Sequence, residues 1–297
     1  LSRCGKASWV GVLRDPLGAP IGPFVTKPDK KHGDAISDIY PTMFRDYERE
    51  AKGPVYMDCG GITDEDYQYM LHFMKHEGLS SLINYLEEEG IDLRKNQVEF
   101  GTYEIIPRGG IYHDDKGETA VKGLFTAGDE AYSGSSISMA STTGWLIGES
   151  AANYARSVDT PDIDRMTSVI VNELKVREDG PDWKEVNIAV QQIMYDYAGE
   201  KRTETLLEAG LRHLRRLKEK TYHTMIARNQ HELLHCLEVL NLIDVGEVLL
   251  IAANERKESR GIHIRPDYPY TNPVLDKFLV VRNVNGKPVI EWEEVRR

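Results

Sequence analysis

One segment of this 297-residue chain constrains its fold more than any other. An apolar run over residues 123–131 includes Gly128-Asp129, small residues follow at 133–140, and residues 141–156 carry a helical pattern. This order predicts a strand, a turn rich in glycine and serine, and the N-terminus of a helix. Such an N-terminus presents free N–H groups and a positive dipole end to an anionic or electron-rich ligand. Because no Gly-x-Gly-x-x-Gly pattern precedes it, we interpret the segment as one half of a flavin or nucleotide site.

Five residues of this segment are candidate cofactor ligands. The carboxylates of Asp129 and Glu130 follow the predicted strand, where acidic side chains accept hydrogen bonds from the sugar hydroxyls of dinucleotides. The backbone N–H groups of Ser136, Ile137 and Ser138 would face the electron-rich edge of a flavin ring. The alternative is an ordinary N-cap and turn that binds no ligand, and the spacing leaves both interpretations open.

Composition excludes several classes of function. A net charge of -11 argues against a nucleic-acid partner, because such partners require a basic surface. Cys4, Cys59 and Cys236 are far apart and odd in number, so we expect no disulfide framework and a reducing, cytoplasmic compartment. No apolar run approaches the ~20 residues of a transmembrane segment. The sequence starts at Leu1 rather than Met, which resembles the cut end of a longer chain.

The sequence of the first half of the chain predicts a small domain of mixed helices and strands. Residues 1–35 are rich in glycine and proline and predict an irregular arm. Thr63 with Asp66 three residues later is typical of a helix start. The remaining predicted elements are helices at 37–52 and 80–89 and strands at 53–58 and 98–106.

The second half predicts a helical bundle followed by a hairpin. Apolar periodicity predicts four helices, whose burial favours antiparallel packing. Asn285-Gly286 is a strong hairpin-turn signal near the C-terminus. The four helices are predicted over residues 162–176, 181–197, 203–220 and 229–256.

A polar loop follows the longest predicted helix. Residues 258–269 contain Arg260, His263 and Arg265 together with Asp267. These cations have two interpretations: they contact an anionic ligand, or they form a salt-bridge cluster that fixes the loop at the helix C-terminus.

His231, Glu232 and His235 form a second candidate site, because His-Glu-x-x-His on a helix is the pattern of zinc hydrolases. Glu255 is the candidate third ligand, although an unbroken helix between them would hold it away from the histidines. The alternative is a histidine pair without a metal.

A further alternative function is a non-catalytic helical module that docks an electron-transfer partner. Basic residues between 212 and 220 lie on the exposed face of a predicted helix, which suits either a solvated surface or a docking patch.

Four segments, taken in order, resemble the flavoprotein subunits of succinate dehydrogenase and fumarate reductase, including the adenylylsulfate reductase-like branch. The similarity covers most of residues 35–280. The segments are Gly53-Pro-Val-Tyr-Met-Asp58, Gly109-Gly-Ile111 followed by residues 121–129, Met194-Tyr-Asp-Tyr-Ala-Gly199, and residues 256–269 with Glu-Ser-Arg-Gly-Ile-His-Ile-Arg-Pro-Asp-Tyr-Pro.

The resemblance implies an FAD-dependent oxidoreductase with an α+β fold. Residues 1–107 would form part of a capping domain, 108–157 the returning segment of the FAD-binding domain, and 158–297 a C-terminal helical domain. It further implies that the N-terminal FAD-binding half is missing, that the chain is inactive alone, and that an iron–sulfur electron-transfer subunit is a partner. Asp129, Glu130 and the backbone of residues 136–138 would hold FAD. Arg260, His263 and Arg265 would contact the substrate or the cap.

Three departures from the family pattern concern the substrate. Ser37 occupies the position of an arginine, Ile105 that of a histidine, and residues 133–139 replace the segment His-Gly-Ala-Asn-Arg. Without these cations and the proton-donating arginine, the site lacks an anion clamp and an acid. We therefore expect a substrate other than succinate or fumarate.

Overall fold

The computed structural model describes residues 11–21, 53–76, 80–99, 109–131, 137–159, 174, 177–199 and 201–295. The chain divides into two compact units, Leu1–Glu104 and Ile105–Arg297. Its fold is α+β, as the sequence predicts, with short antiparallel sheets and long helices. The division into three parts at residues 107 and 157 stays a prediction. No helix of the described ranges combines the length and apolar character that a membrane crossing requires.

The first unit contains a three-stranded antiparallel sheet. Strand β1 (Val12–Arg14) pairs with β2 (Tyr56–Asp58), and β2 pairs with β3 (Val98–Glu99). Strand β1 corrects the prediction of an irregular arm at residues 12–14, while residues 1–10 and 22–35 of that arm lie outside the described residues. Leu13 lies opposite Met57 and both side chains are fully buried, so core packing outweighs the local glycine and proline content.

Two helices cover this core. Helix α1 (Asp64–His76) begins as predicted, because Thr63 Oγ1 accepts the N–H of Asp66 at 3.1 Å. Helix α2 (Ser80–Glu88) ends before Gly90, whose φ of 68° suits glycine. The predicted helix at 37–52 and the end of the predicted strand at 98–106 lie outside the described residues.

The second unit begins with a folded loop and a helix. The strand predicted to end at Gly128-Asp129 does not form a ladder: residues 113–126 form turns joined by isolated β-bridges, such as that of Phe125 with Glu118, and Gly128–Glu130 form a 3₁₀ turn. The reason is local, since Asp114 Oδ1 accepts the N–H groups of Lys116 and Glu118, and Glu118 Oε1 accepts that of Gly123. Helix α3 (Ile137–Ser157) follows.

Three long helices form the main core of the second unit. They are α4 (Trp183–Ala198), α5 (Glu204–Thr224) and α6 (Gln230–Glu255), with Asp182, Thr203 and Asn229 as N-caps. These bounds confirm the predicted helices to within a few residues. The predicted helix at 162–176 lies outside the described residues except for Leu174, which is buried. The fully buried side chains of this core include Leu207, Leu214, Cys236, Ile243 and Leu250.

A hairpin completes the unit. Strands β4 (Lys277–Val284) and β5 (Lys287–Glu294) pair in register, with Val284 opposite Lys287. Asn285 and Gly286 have φ values of 52° and 79°, as a two-residue type I′ turn requires, so the predicted turn is confirmed.

Candidate functional site

Two short segments meet beside the N-terminal half of α3. The N–H of Ile111 donates to the carbonyl oxygen of Glu130 at 2.7 Å. A Cβ on Gly110 would lie 2.1 Å from the carbonyl oxygen of Ala131, so only glycine permits this approach. The Gly-Gly-Ile segment and the Gly-Asp turn, about twenty residues apart in sequence, therefore form one structure.

The Gly-Asp turn is also fixed against α3. The N–H of Gly128 donates to Thr143 Oγ1 at 3.0 Å, and Gly128 has a φ of 68°. Because Thr143 lies in the second turn of α3, this bond holds the turn beside the beginning of the helix. Phe125 contacts Tyr154 farther along α3, with ring centroids 5.9 Å apart.

The predicted cofactor ligands lie on the surface of this structure. Asp129 and Glu130 are exposed on the 3₁₀ turn, and Ile137 and Ser138 are exposed in the first turn of α3. Ser136 lies outside the described residues. The first turn of α3 contains no acidic side chain that would oppose its positive dipole end. Exposed carboxylates suit the sugar hydroxyls of FAD, and the N-terminus of a helix suits its electron-rich flavin ring.

The polar loop after α6 is organised by a carboxylate that the sequence analysis did not single out. Glu258 is fully buried and accepts from Arg256 at 2.7 Å, from Arg260 at 2.9 and 3.1 Å, and from the N–H of Asn272 at 2.8 Å. Burial alone would raise the pKa of Glu258, but these hydrogen bonds hold it below its usual value. A buried anion between two guanidinium groups fixes the path of the loop.

Arg260 is the candidate catalytic residue with the most accessible charge. Its Nε and Nη2 bind both oxygens of Glu258, and its Nη1 lies 3.3 Å from Asp276 Oδ1. Its side chain remains 37% exposed. The bidentate contact with Glu258 orients the guanidinium plane while part of its surface faces solvent.

Arg265 differs from Arg260 in being fully buried, while the three guanidinium nitrogens of both residues are bound within the protein. Nε and Nη2 bind Asp267 at 2.9 and 2.8 Å, and Nη1 binds the carbonyl oxygens of Ala253 and Asn254 at 2.7 and 3.1 Å. Those carbonyls belong to the last turn of α6, so Arg265 caps that helix. These contacts match the salt-bridge interpretation of the loop, and the catalytic role of Arg265 stays a prediction.

Asp267 connects the loop to a second helix. Besides its contact with Arg265, its Oδ2 accepts the N–H of Glu204, the first residue of α5, at 2.8 Å. The hydrogen bonds from Arg265 are the main cause of a pKa of about 2 for this carboxyl. One ion pair thus joins the C-terminus of α6 to the N-terminus of α5.

His263 is half-buried and neutral. Its Nε2 lies 3.0 Å from the carbonyl oxygen of Arg256, which only accepts, and its Nδ1 lies 3.1 Å from Arg202 Nη1, which only donates. The proton therefore resides on Nε2. Burial, with the neighbouring guanidinium groups of Arg202, Arg265 and Arg256, lowers the pKa of His263 to about 4. No sequence signal indicated Arg202, because 61 residues separate it from His263.

The hairpin links this loop to the Gly-Gly-Ile segment. Arg256 binds the carbonyl oxygen of Lys277 at 2.9 Å and lies over the Trp292 ring. Farther along the hairpin, Arg282 lies over the ring of Tyr112, whose hydroxyl donates to Glu293. Because Tyr112 adjoins Ile111, the two candidate regions are connected through bonded neighbours.

The alternative zinc site lacks the necessary geometry. Glu232 accepts the N–H of Arg228 at 2.8 Å and contacts Asn229, so it serves the N-terminus of α6. His235 Nδ1 donates to Glu238 Oε2 at 2.7 Å, and its ring stacks on Trp183. Among the described residues, no group of three His, Cys, Asp or Glu side chains, Glu255 included, is placed to hold a metal ion.

Comparison with known proteins places these features in a family. Residues 188–297 match the family model described as fumarate reductase flavoprotein C-term. The fumarate reductase flavoprotein subunit of Haemophilus influenzae is 30% identical over 209 residues, which cover 63% of this chain and 35% of that protein. The L-aspartate oxidase of Yersinia pestis is 31% identical over 218 residues, covering 67% and 37%.

Solved structures show the same fold. A mutant of E. coli quinol fumarate reductase superposes with a TM-score of 0.65 at 20% identity, covering 96% of this chain and 54% of that one. Adenylylsulfate reductase from Archaeoglobus fulgidus gives a TM-score of 0.58 at 17% identity, covering 97% and 56%.

The chain belongs to the succinate dehydrogenase/fumarate reductase flavoprotein family, whose members are FAD-dependent, and residues 188–297 form its C-terminal region. This confirms the resemblance. The chain spans about a third of the length of the two curated relatives. Those relatives carry names of different activities, so membership of the family leaves the substrate open.

Proposed function

We propose that this chain supplies the returning half of an FAD site in an oxidoreductase, and that a nucleotide-binding half on another segment or chain completes it. The observation that carries the proposal is the exposed pair Asp129 and Glu130 on a turn that Gly128 and Thr143 hold against the N-terminal half of α3. FAD, when bound, supplies electron-transfer chemistry. The chain's own part is to bind a sugar hydroxyl through Asp129 and the flavin ring through the N–H groups of residues 136–138.

The surface of α3 supports a complementary half. None of its residues is buried, Trp145 is 79% exposed, and Leu146 is 60% exposed. A Cβ on Gly144 or Gly148 would meet no atom within 4 Å. A 21-residue helix with large apolar side chains and bare glycines on its outer surface is suited to burial against another structure.

The polar loop would serve the substrate side. Arg260 is our candidate for contact with an anionic group of the substrate, because Glu258 orients its guanidinium group and part of it is exposed. Arg265 and His263 would position Arg260 by holding the loop on α6. The departures at Ser37, Ile105 and residues 133–139 support a substrate other than succinate or fumarate. An iron–sulfur electron-transfer partner and a cytoplasmic location remain part of this proposal.

The test measures flavin retained by the assembled protein. The chain would be produced together with the nucleotide-binding half, as one polypeptide or as two, and the FAD content determined from visible absorbance per protein. We expect Asp129→Asn to lower this content. The control Glu185→Gln removes a carboxylate that is exposed on α4, outside α3 and the Gly-Asp turn, and should leave the content unchanged. Equal FAD content in the parent and in Asp129→Asn would contradict the role of Asp129.

A second measurement tests the covering of α3. Acrylamide quenching of tryptophan fluorescence should decrease when the complementary half is added, because Trp145 becomes buried. In Trp145→Phe the decrease should be small. Quenching that is unaffected by the complementary half would show that α3 stays exposed and would contradict the proposal.

A further inference from the structure

Arg216 and Lys220, two cations that form no ion pair among the described residues, lie with His223 on one exposed face of α5. Arg216, Lys220 and His223 follow one another at positions i, i+4 and i+7, which places them on one side of the helix. All three are exposed, and none forms an ion pair within the described ranges. Together with Glu219 and Thr224 they line an open cavity of about 360 Å³. We call Arg216, Lys220 and His223 the cationic row.

The other basic residues in the middle of α5 have a structural role. Arg215 binds Glu247 at 2.8 Å, and Lys218 binds Asp244 and Glu247 at 2.8 and 2.9 Å. Because Asp244 and Glu247 belong to α6, these ion pairs join the two helices. The packing of α5 on α6 therefore does not use the cationic row.

The carbonyl groups at the C-terminus of α5 do not neutralise the cationic row either. Exposed carbonyl groups at a helix C-terminus carry partial negative charge that attracts cations. Here Arg177 occupies them, with Nη2 bound to the carbonyl oxygen of Tyr222 at 2.7 Å and Nη1 to that of Met225 at 2.9 Å. The chain has 48 acidic residues against 37 Lys and Arg, yet Glu219 is the single carboxylate lining this cavity.

We propose that the cationic row docks an extended acidic segment of a partner protein. Arg216 and His223 are seven residues apart, which is about 10 Å along a helix at 1.5 Å per residue. An extended peptide covers this length with about three residues, at ~3.3 Å each. Two carboxylates of such a segment could meet Arg216 and Lys220, and a third acceptor could take a hydrogen bond from His223. Each exposed ion pair contributes up to about 1 kcal/mol, so the contact would be weak and dependent on salt.

Other occupants fit less well. The N–H groups in the middle of α5 are bound within the helix, so they cannot surround a phosphate group as a helix N-terminus can. Since each cation is exposed, a single small anion would be held weakly. A nucleic acid requires a broad basic surface, whereas this face of α5 presents two formal cations and one histidine beside Glu219. This inference is independent of the FAD proposal, because it uses no residue of that site.

The experiment measures binding of fluorescein-labelled hexaglutamate to the whole chain by fluorescence anisotropy at low salt. The test variant is Arg216→Gln/Lys220→Gln. The matched control, Lys116→Gln/Lys287→Gln, removes two exposed lysines outside α5 and changes the net charge equally. We expect about 3- to 10-fold weaker binding in the test variant and a change below about twofold in the control. Added salt should weaken binding to the parent.

Three results would overturn the proposal. Equal losses in the two variants would show general charge attraction. Displacement of hexaglutamate by inorganic phosphate at equal total charge would show a small-anion site. Loss of binding to phosphatidylserine vesicles in the test variant, with hexaglutamate binding retained, would show a membrane contact. Circular dichroism should show both variants folded. Arg216→Lys, which keeps the positive charge, should bind hexaglutamate like the parent.

Discussion

Replacing Arg265 by Met should strongly destabilise the second unit. The guanidinium group of Arg265 is fully buried. The substitution removes its two hydrogen bonds to Asp267 and its two hydrogen bonds to the last carbonyl groups of α6. Removing one partner of a buried ion pair costs about 3–5 kcal/mol. In the variant, Asp267 still accepts the N–H of Glu204 and remains in contact with solvent, so its charge is not left without partners. We therefore expect a loss of unfolding free energy at the lower end of this range, about 3 kcal/mol.

The assay is thermal unfolding followed by circular dichroism at the helical band. For a unit of this size, about 3 kcal/mol corresponds to a decrease in Tm of roughly 6–12 °C. The matched control is Arg216→Met, the same chemical change at an exposed position without an ion pair, which should cost below about 0.5 kcal/mol. Equal Tm values for the two variants would refute the view that Arg265 is a structural cap.

Three further predictions concern titration, packing and reactivity. The pKa of His263 is about 4 in the folded chain, against an ordinary value of 6.5, so the unfolded chain binds more protons between these two pH values. The free energy of unfolding should therefore fall as the pH decreases from 6.5 to 4. Urea unfolding of His263→Asn should show a smaller dependence on pH. Gly110→Ala should lower Tm because its Cβ meets the Ala131 carbonyl, whereas Gly144→Ala, with open space, should raise it slightly in the chain alone. Burial raises the pKa of Cys59 to about 12 and of Cys236 to about 11, so both should resist a thiol reagent until urea unfolds the chain.

The helices were predictable from sequence because their signals are local. The side chains of Asp182, Thr203 and Asn229 accept N–H groups two or three residues later, and each precedes an apolar periodic run. Asn285-Gly286 likewise determines its turn through its own backbone preferences. Such features need no knowledge of distant residues, so a single sequence contains them.

The errors occurred where distant contacts decide the structure. Strand β1 exists because it pairs with β2 across about 45 residues, and no pattern in its three residues announces that pairing. The predicted strand at 123–128 is replaced by turns, because the carboxylates of Asp114 and Glu118 capture backbone N–H groups nearby. The apolar run does bond residues 117–119, through the N–H groups of Thr126 and Thr119, but the turns on both sides limit this pairing to an isolated bridge.

The contacts of the candidate residues could not be predicted from the sequence, and their membership of a site stays a prediction. The sequence brought Arg260, His263 and Arg265 together as a group, but their different burial depends on where α6 ends. The partners Glu258 and Arg202 carried no separate signal. Consequently the sequence could not distinguish the exposed arginine from the one that caps a helix.

The contacts that connect the two candidate regions determine how loss of flavin should be interpreted. Arg265 holds the loop on α6, Arg256 attaches the loop to β4, and Arg282 and Glu293 of the hairpin contact Tyr112. The next residue, Ile111, binds Glu130 beside Asp129. A substitution that loosens the loop can therefore disturb the Gly-Asp turn without any contact with a cofactor. Lower FAD content assigns a direct role only when Tm in the same sample is unchanged, which we expect for Asp129→Asn and not for Arg265→Met.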